Sequence, residues 1–357
     1  MPIPAQRDLE QSRLALRDWL ATQLPDARDV EVSDLTVPSG SGFSNETLLA
    51  EASWRDAAGV EQTDSLVVRV KPTGFQVFLD ADFALQYRIL SVLDRESDVP
   101  VPPMLWFEDD PAVLGAPFFV MRRVAGAAPS DQPPYNEGGW LFEATTAERE
   151  VLWRNAIDAL ITVHRVPTEQ VAFLAKPELG DTGFDQLFAY WKQSFEWAAQ
   201  GRPQPAAQAA WEWMAANLPA NRPTALSWGD SRVGNILFDR GQVSAVVDWE
   251  MLSLGGHMVD VGWWLFLDDY HAMDAPRLPG LGSREETIAL WEAGTGEQVE
   301  DLPWYEVFAG FRFAVVMMRL MQMLAAWGVV VPSDEYNEAN NPVTRLLAHK
   351  LELAKGA

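Results

Sequence analysis

The sequence predicts an α+β protein of two lobes, an antiparallel sheet with accompanying helices followed by a larger, mainly helical region. Three observations carry this. Alternating apolar runs of strand length fall mainly before residue 125, and most of the helical periodicity comes after it. A stretch rich in proline and glycine, Ala128 to Gly139, follows the last of the early strands. One further strand pair, Ile236 to Phe238 and Val243 to Val247 around the turn Asp239-Arg240-Gly241-Gln242, lies within the helical part. The expected boundaries are 1–124 and 125–357.

In chain order, residues 6 to 24 read as an amphipathic helix with Leu9, Leu16, Leu20 and Leu24 at turn spacing and Pro25 ending it. Val30 to Val37 and Glu46 to Trp54 read as strands joined by the glycine- and serine-rich loop Pro38 to Asn45. The turn Ala57-Ala58-Gly59 leads to a third strand, Asp64 to Val70. A helix follows from Asp80 to Leu93, with Phe83, Tyr87 and Leu90 on one face. Beyond the extended Val99-Pro100-Val101-Pro102-Pro103 come strands at Met104 to Glu108 and Pro117 to Val124, with a Gly115 turn between. The helical part opens at Thr146 to Val166, where Thr145 and Glu148 form a capping-box pattern. Helices are expected over 185–199, 205–218, 259–271, 284–293, 304–327 and 341–355. Trp191, Trp197, Trp211, Trp213, Met317, Met318, Met321 and Met323 are assigned to packing, with a substrate cleft or wall as the alternative, and His164 to packing or capping.

Composition narrows the chemistry. The chain of 357 residues has no cysteine, which excludes disulfides, thiolate metal sites and thiol catalysis. Its net charge of −24 argues against nucleic acid and anionic membranes and permits a cationic ligand. The N-terminus has no apolar core of the signal-peptide kind, and no uninterrupted apolar run approaches the length of a membrane span. A cytoplasmic location is expected. Oligomeric state is not legible.

The chemistry-bearing stretch is Leu226-Ser227-Trp228-Gly229-Asp230-Ser231-Arg232-Val233-Gly234-Asn235 together with Val246-Val247-Asp248-Trp249-Glu250. Each half reads as a short apolar strand ending in a carboxylate. The hairpin returns Asp248 to the end where Asn235 and Asp230 stand. Two carboxylates and an amide oxygen suit Mg²⁺ shared with substrate phosphates, with Asp230 left to act on a hydroxyl.

The spacing Asp-x4-Asn-x12-Asp resembles the catalytic loop and metal-binding Asp of protein kinases. The words Gly-Asp-x4-Asn and Val-Asp-Trp-Glu resemble the aminoglycoside phosphotransferase family, a group of kinase-fold enzymes acting on small molecules. The resemblance runs in order from Val30 to Trp263 and implies a bilobal, protein-kinase-like fold, ATP and Mg²⁺ as cofactors, and a small-molecule acceptor. It implies Asp230 as the catalytic base and Asn235 and Asp248 as metal ligands. Nucleotide contacts are implied at Gly42, Ser44 and Asn45 of the first loop, at the backbone near Met121 and Arg123, and at Arg69, with Lys71 as the alternative. The strand Leu66-Val67-Val68-Arg69 resembles relatives fused to or encoded with acyl-CoA dehydrogenases.

Three departures from the family pattern stand out. Gln86 occupies the helix position where a Glu pairs the phosphate-binding Lys, and Glu96 comes too late on that helix to replace it. Trp228 stands where the family has His. Gly255-Gly256-His257 replaces Gly-Asp-Pro ahead of Asp260, whose implied role is to order the catalytic loop. The family's acceptors include aminoglycosides, macrolides, choline-like amines, homoserine and hydroxyacyl-CoA thioesters. The Trp- and Met-rich helical part favours a hydroxyacyl thioester over an aminoglycoside here. Two other readings compete. One is a catalytically weak nucleotide-binding regulatory module, supported by Gln86 and Trp228. The other is a Gly-Asp-Ser esterase, with Ser231 as nucleophile and Asp268-x-x-His271 as its partner motif.

Overall fold

The computed structural model describes residues 7–38, 46–79 and 82–356. Two compact units emerge, Met1–Asp94 with Pro102–Val124, and Arg95–Val101 with Ala125–Ala357.

In the first unit, α1 (Leu9–Gln23) starts at Asp8, whose carboxylate accepts the Gln11 N–H at 2.9 Å. The strands are β1 (Arg28–Val32), β2 (Glu46–Arg55), β3 (Glu61–Val70), β4 (Met104–Glu108) and β5 (Phe118–Arg122). They form one antiparallel sheet in the order β1-β2-β3-β5-β4. Strand alternation divides the apolar residues between the two faces. Leu48, Val68, Phe118 and Val120 pack with Leu16, Trp19 and Leu20 of α1. On the other face Phe119 meets Phe83 of α2 (Phe83–Glu96), with ring centroids 5.0 Å apart, and Phe107 meets Tyr87 at 5.4 Å.

Two expectations change here. The strand expected over 30–37 ends at Val32; beyond it Thr36 makes an isolated bridge to Leu49, one residue out of register with the Val32–Ala52 pair. The Gly115 turn includes a one-turn helix, α3 (Pro111–Leu114), capped by Asp110 and closed by Gly115 at φ 79°.

The second unit is helical around one hairpin. After the short α4 (Trp140–Glu143), α5 (Thr146–His164) begins with the reciprocal Thr145–Glu148 capping box. A 3₁₀ segment (Thr168–Leu174), α6 (Gly183–Ala199) and α7 (Pro205–Ala216) follow. The hairpin of β6 (Ile236–Asp239) and β7 (Gln242–Val246) turns at Arg240 and Gly241, both at positive φ, as a two-residue turn requires. The chain ends with α8 (His257–His271), α9 (Arg284–Thr295), α10 (Leu302–Ala326) and α11 (Pro342–Gly356).

Leu226-Ser227 is not the strand its apolar character suggests. Ala225 and Ser227 make single bridges to Gly255 and Ser253, so the segment is extended without a ladder. By length and composition α10 could cross a bilayer, although its sequence has no long uninterrupted apolar run. In this fold 67% of its apolar window is buried, as befits a core helix. Trp191, Met318, Met321 and Met323 are core residues, whereas Trp197, Trp211, Trp213 and Met317 are only half-buried.

Candidate active site

The loop carrying Asp230 is held from below by one carboxylate. Asp260, near the start of α8, is fully buried. Its Oδ1 accepts from Ser227 Oγ at 2.9 Å and the Gly229 N–H at 2.7 Å. Its Oδ2 accepts from the Trp228 N–H at 2.7 Å and faces His164 Nε2 at 3.0 Å. The Trp291 indole N–H donates to His164 Nδ1 at 2.9 Å, so the proton of a neutral His164 lies on Nε2 and points at Asp260. Burial by itself would raise the Asp260 carboxyl. The His164 hydrogen bond and the loop amides outweigh it and hold the group below the usual carboxylate range. His164, expected to pack or cap, is therefore a support of the loop.

Gly229 is needed for the loop to close. Its φ is 93°, and a Cβ there would collide with the Met251 carbonyl oxygen. Asp230 follows with its carboxylate partly exposed. Oδ1 accepts from the Trp263 indole N–H at 2.8 Å, and Oδ2 accepts from Asn235 Nδ2 at 2.7 Å. Arg232 Nε stands 3.5 Å from Oδ1, and the Arg232 guanidinium is fixed by a two-pronged ion pair to Asp131 at 2.7 and 2.8 Å.

Asn235 also donates through Nδ2 to the Asp230 carbonyl at 3.0 Å, which leaves Oδ1 as the outward acceptor of the amide. Its carbonyl accepts the Val247 N–H at 3.0 Å, fixing the chain one residue before Asp248. Asp248 has φ 58°, a left-handed conformation uncommon for a residue with a side chain and a frequent mark of functional sites. Among the described residues no group of three or more His, Asp or Glu is arranged to hold a metal ion. Asn235 and Asp248 offer two oxygen-bearing side chains instead, the sparse donor set that suits Mg²⁺ completed by phosphate and water.

Trp228 meets its altered position with two bonds. Its amide serves Asp260, and its indole N–H donates to the Val247 carbonyl at 2.9 Å, linking the loop to the Asp248 segment. Ser231 cannot be an esterase nucleophile as arranged. It is fully buried and its hydroxyl donates to the Asp260 carbonyl at 2.8 Å, so that reading falls.

Sequence reasoning missed Arg312 and Trp263 at this site. Arg312 is fully buried on α10 and donates to the Gly229 carbonyl at 2.7 Å. Burial pulls its pKa down to about 10, which leaves it charged at neutral pH. Only Asp260 and the Asp-x4-Asn spacing pointed to neighbours of this kind.

The nucleotide residues expected in the first unit are placed in part. Gly42, Ser44 and Asn45 lie outside the described residues. Arg69 sits opposite Thr47 on the sheet and donates to its hydroxyl at 3.3 Å, while Lys71 lies just past the end of β3. Gln86 is buried on α2. Met121 lies in β5, and the Arg123 amide is spent on the Ser65 carbonyl at 2.7 Å, so it is not an available donor to an adenine edge.

An antiparallel sheet unit, a helical unit and an Asp–Asn pair ahead of a hairpin ending in Asp define the class, a kinase-like α+β fold with a phosphotransfer-type loop. The sequence pattern of the phosphotransferase enzyme family APH matches residues 37–296, and the chain belongs to that family. Among curated proteins it is 25% identical over 298 residues to "Probable acyl-CoA dehydrogenase IBR3" of Arabidopsis thaliana, covering 78% of this chain and 35% of that protein. It is 26% identical over 265 residues to "Acyl-CoA dehydrogenase family member 10" of Mus musculus, covering 71% of this chain and 24% of that one. The chain thus spans about a third or less of the curated relatives it matches. Both fit the acyl-CoA-dehydrogenase-associated subgroup that the Leu-Val-Val-Arg strand resembles.

Solved structures share the fold. A candidate aminoglycoside phosphotransferase from Ralstonia eutropha JMP134 superposes with a TM-score of 0.69 at 22% identity, over 96% of this chain and 98% of that one. A thermostable mutant of aminoglycoside phosphotransferase APH(4)-Ia, in ternary complex with ADP and hygromycin B, gives 0.59 at 15% identity, over 95% and 98%. A macrolide 2′-phosphotransferase of Brachybacterium faecium gives 0.53 at 18% identity, over 94% and 97%.

Proposed function

We propose that this protein transfers the terminal phosphoryl group of ATP, with Mg²⁺, to a hydroxyl of a small molecule. The observation that carries the reading is the Asp230 carboxylate. It is gripped by two N–H donors, from Trp263 and Asn235, yet stays partly open, as a base awaiting a hydroxyl must. Asp230 orients the acceptor hydroxyl and takes its proton as the phosphoryl group moves. Asn235 and Asp248 would hold the metal, which would supply neutralisation of charge on the phosphates. Arg232, locked by Asp131, sets a fixed positive charge beside Asp230. The nucleotide role belongs to the first unit, through Arg69, the 38–45 loop and the backbone near Met121, and the catalytic role to the second. A cytoplasmic setting would supply the ATP.

The acceptor is assigned as a largely apolar hydroxylated molecule of the hydroxyacyl-thioester kind, in preference to an aminoglycoside. Half-buried Trp197, Trp211 and Trp213 and the named relatives support this choice. The test is phosphate transfer from Mg·ATP to hydroxyacyl-CoA, kanamycin-type, choline and homoserine acceptors at two salt concentrations. An apolar chain keeps its kcat/KM as salt rises, whereas a cation held by carboxylates loses it. Salt-sensitive transfer to aminoglycosides alone would overturn the acceptor. ATP binding with no transfer to any hydroxyl would overturn the enzyme in favour of a regulatory module.

A further inference from the structure

The reading of Asp230 as the working carboxylate leaves a buried cation unexplained. Arg312 is fully buried, and its Nε and Nη1 have no hydrogen-bond partner. Its Nη2 alone is satisfied, by the Gly229 carbonyl. The guanidinium lies against Trp263 at 4.4 Å from the ring centroid, with Phe308 at 5.4 Å and Trp191 at 5.6 Å. Buried, unpaired N–H donors on a charged group are destabilising, and apolar side chains of similar volume commonly replace buried ions at no loss of stability. A methionine would fill this aromatic box without the desolvation. Packing therefore gives no reason for arginine at this position.

Two of the four groups around the guanidinium, its hydrogen-bond acceptor and the nearest ring, lead to one residue. Gly229 immediately precedes Asp230, and Trp263 donates its indole N–H to Asp230 Oδ1 at 2.8 Å. We propose that Arg312 is a positioning residue for Asp230, fixing the loop through the Gly229 carbonyl and pinning the Trp263 indole so that its N–H stays on the carboxylate. The inference rests on the phosphotransfer reading for its consequence in catalysis, but the clamp itself has a readout that does not need turnover.

The experiment uses the full chain labelled with ¹⁵N at its 16 tryptophans. The Trp263 indole resonance is the one lost in Trp263→Phe. In Arg312→Met this resonance is expected to move and to exchange its proton faster, while Tm stays at or above that of the wild type. Phosphate release from Mg·ATP, measured without acceptor, is expected to lose about tenfold or more in kcat with the KM for ATP nearly unchanged, as for a group acting on the reacting geometry and not on binding. Trp263→Phe should give a similar loss, and the double variant little further loss. An unmoved indole resonance, additive losses, or a lower Tm or failure to fold in Arg312→Met overturns the proposal; in the last case arginine is a structural tie. If the resonance moves but the wild-type protein transfers no phosphate to water or to any acceptor, the clamp stands and the phosphotransferase reading falls.

Discussion

Asp230→Asn is the most direct perturbation of the site, and the structure sets its size. The two carboxylate oxygens each face a donor, the Trp263 indole N–H at 2.8 Å and Asn235 Nδ2 at 2.7 Å. An amide has one acceptor and one donor, so an Asn must turn its NH₂ toward one of these N–H groups. One hydrogen bond to a charged acceptor is lost and two donors oppose each other, at a cost of about 1–3 kcal/mol in stability. The group is partly exposed, which puts the loss toward the lower end of that range. The catalytic loss is separate. Removing a general base lowers turnover by about 10²–10⁴, or about 3–5 kcal/mol on the barrier. Thermal unfolding, calorimetric titration with Mg·ATP and phosphate transfer should therefore show a modestly less stable protein that binds nucleotide and barely turns over. Near-normal turnover in a folded Asp230→Asn protein would refute the base assignment. Loss of nucleotide affinity as large as the loss of turnover would instead place Asp230 on the metal.

Asp248→Asn keeps a residue tolerant of the left-handed backbone while removing the charge, so Mg²⁺-dependent ATP affinity measured by calorimetry should fall about tenfold or more as a carboxylate ligand becomes an amide; unchanged affinity and metal dependence would move the metal elsewhere. Arg69→Ala should raise the apparent KM for ATP more than Lys71→Ala, because Arg69 is set in the strand and Lys71 lies past its end; the opposite order would transfer the phosphate role to Lys71. His271 is held near pKa 4, first by burial and then by the Arg232 charge, against an ordinary value of 6.5. Its folded pKa is depressed, so the unfolded chain binds more protons between those values and stability falls as pH drops from about 6.5 toward 4, by at most about 3 kcal/mol. His271→Asn should flatten that part of a pH–denaturation profile, and an unchanged slope would show that His271 is not buried neutral.

Local signals were legible in the sequence and long-range ones were not. The Thr145–Glu148 box starts α5 as its spacing implies, and Arg240–Gly241 turns the hairpin, because each depends on residues a few positions apart. Asn235 reaches Asp230 within a single loop, which is why their spacing carries meaning. His164 meets Asp260 across 96 positions, and nothing at either residue announces the other. Arg312 is one cation in an apolar helix, and only the packed structure shows which carbonyl it faces. Leu226-Ser227 reads as the end of a strand, but its extended backbone pairs at single bridges and the amides that follow it, of Trp228 and Gly229, turn to Asp260. The helices α3 and α4 are one turn each, too short for any apolar period to appear.

The departures at positions 228 and 257 are tied to one network. The Asp260 carboxylate takes hydrogen bonds from Ser227, Trp228, Gly229 and His164, so the turn before Asp230 is held by one buried charge. Position 228 contributes to that charge through its amide, which any residue but proline supplies. Its side chain is then free to serve another end, and the Trp228 indole reaches the Val247 carbonyl ahead of Asp248. His257 stacks on His164 with centroids 4.4 Å apart and faces Glu297 at 3.0 Å. Burial and the neighbouring His164 lower the His257 pKa, while Glu297 opposes them. The stack holds the His164 ring in place, with its Nε2 facing Asp260. Trp228 and His257 thus support two points of the site, the turn before Asp230 and the segment before Asp248.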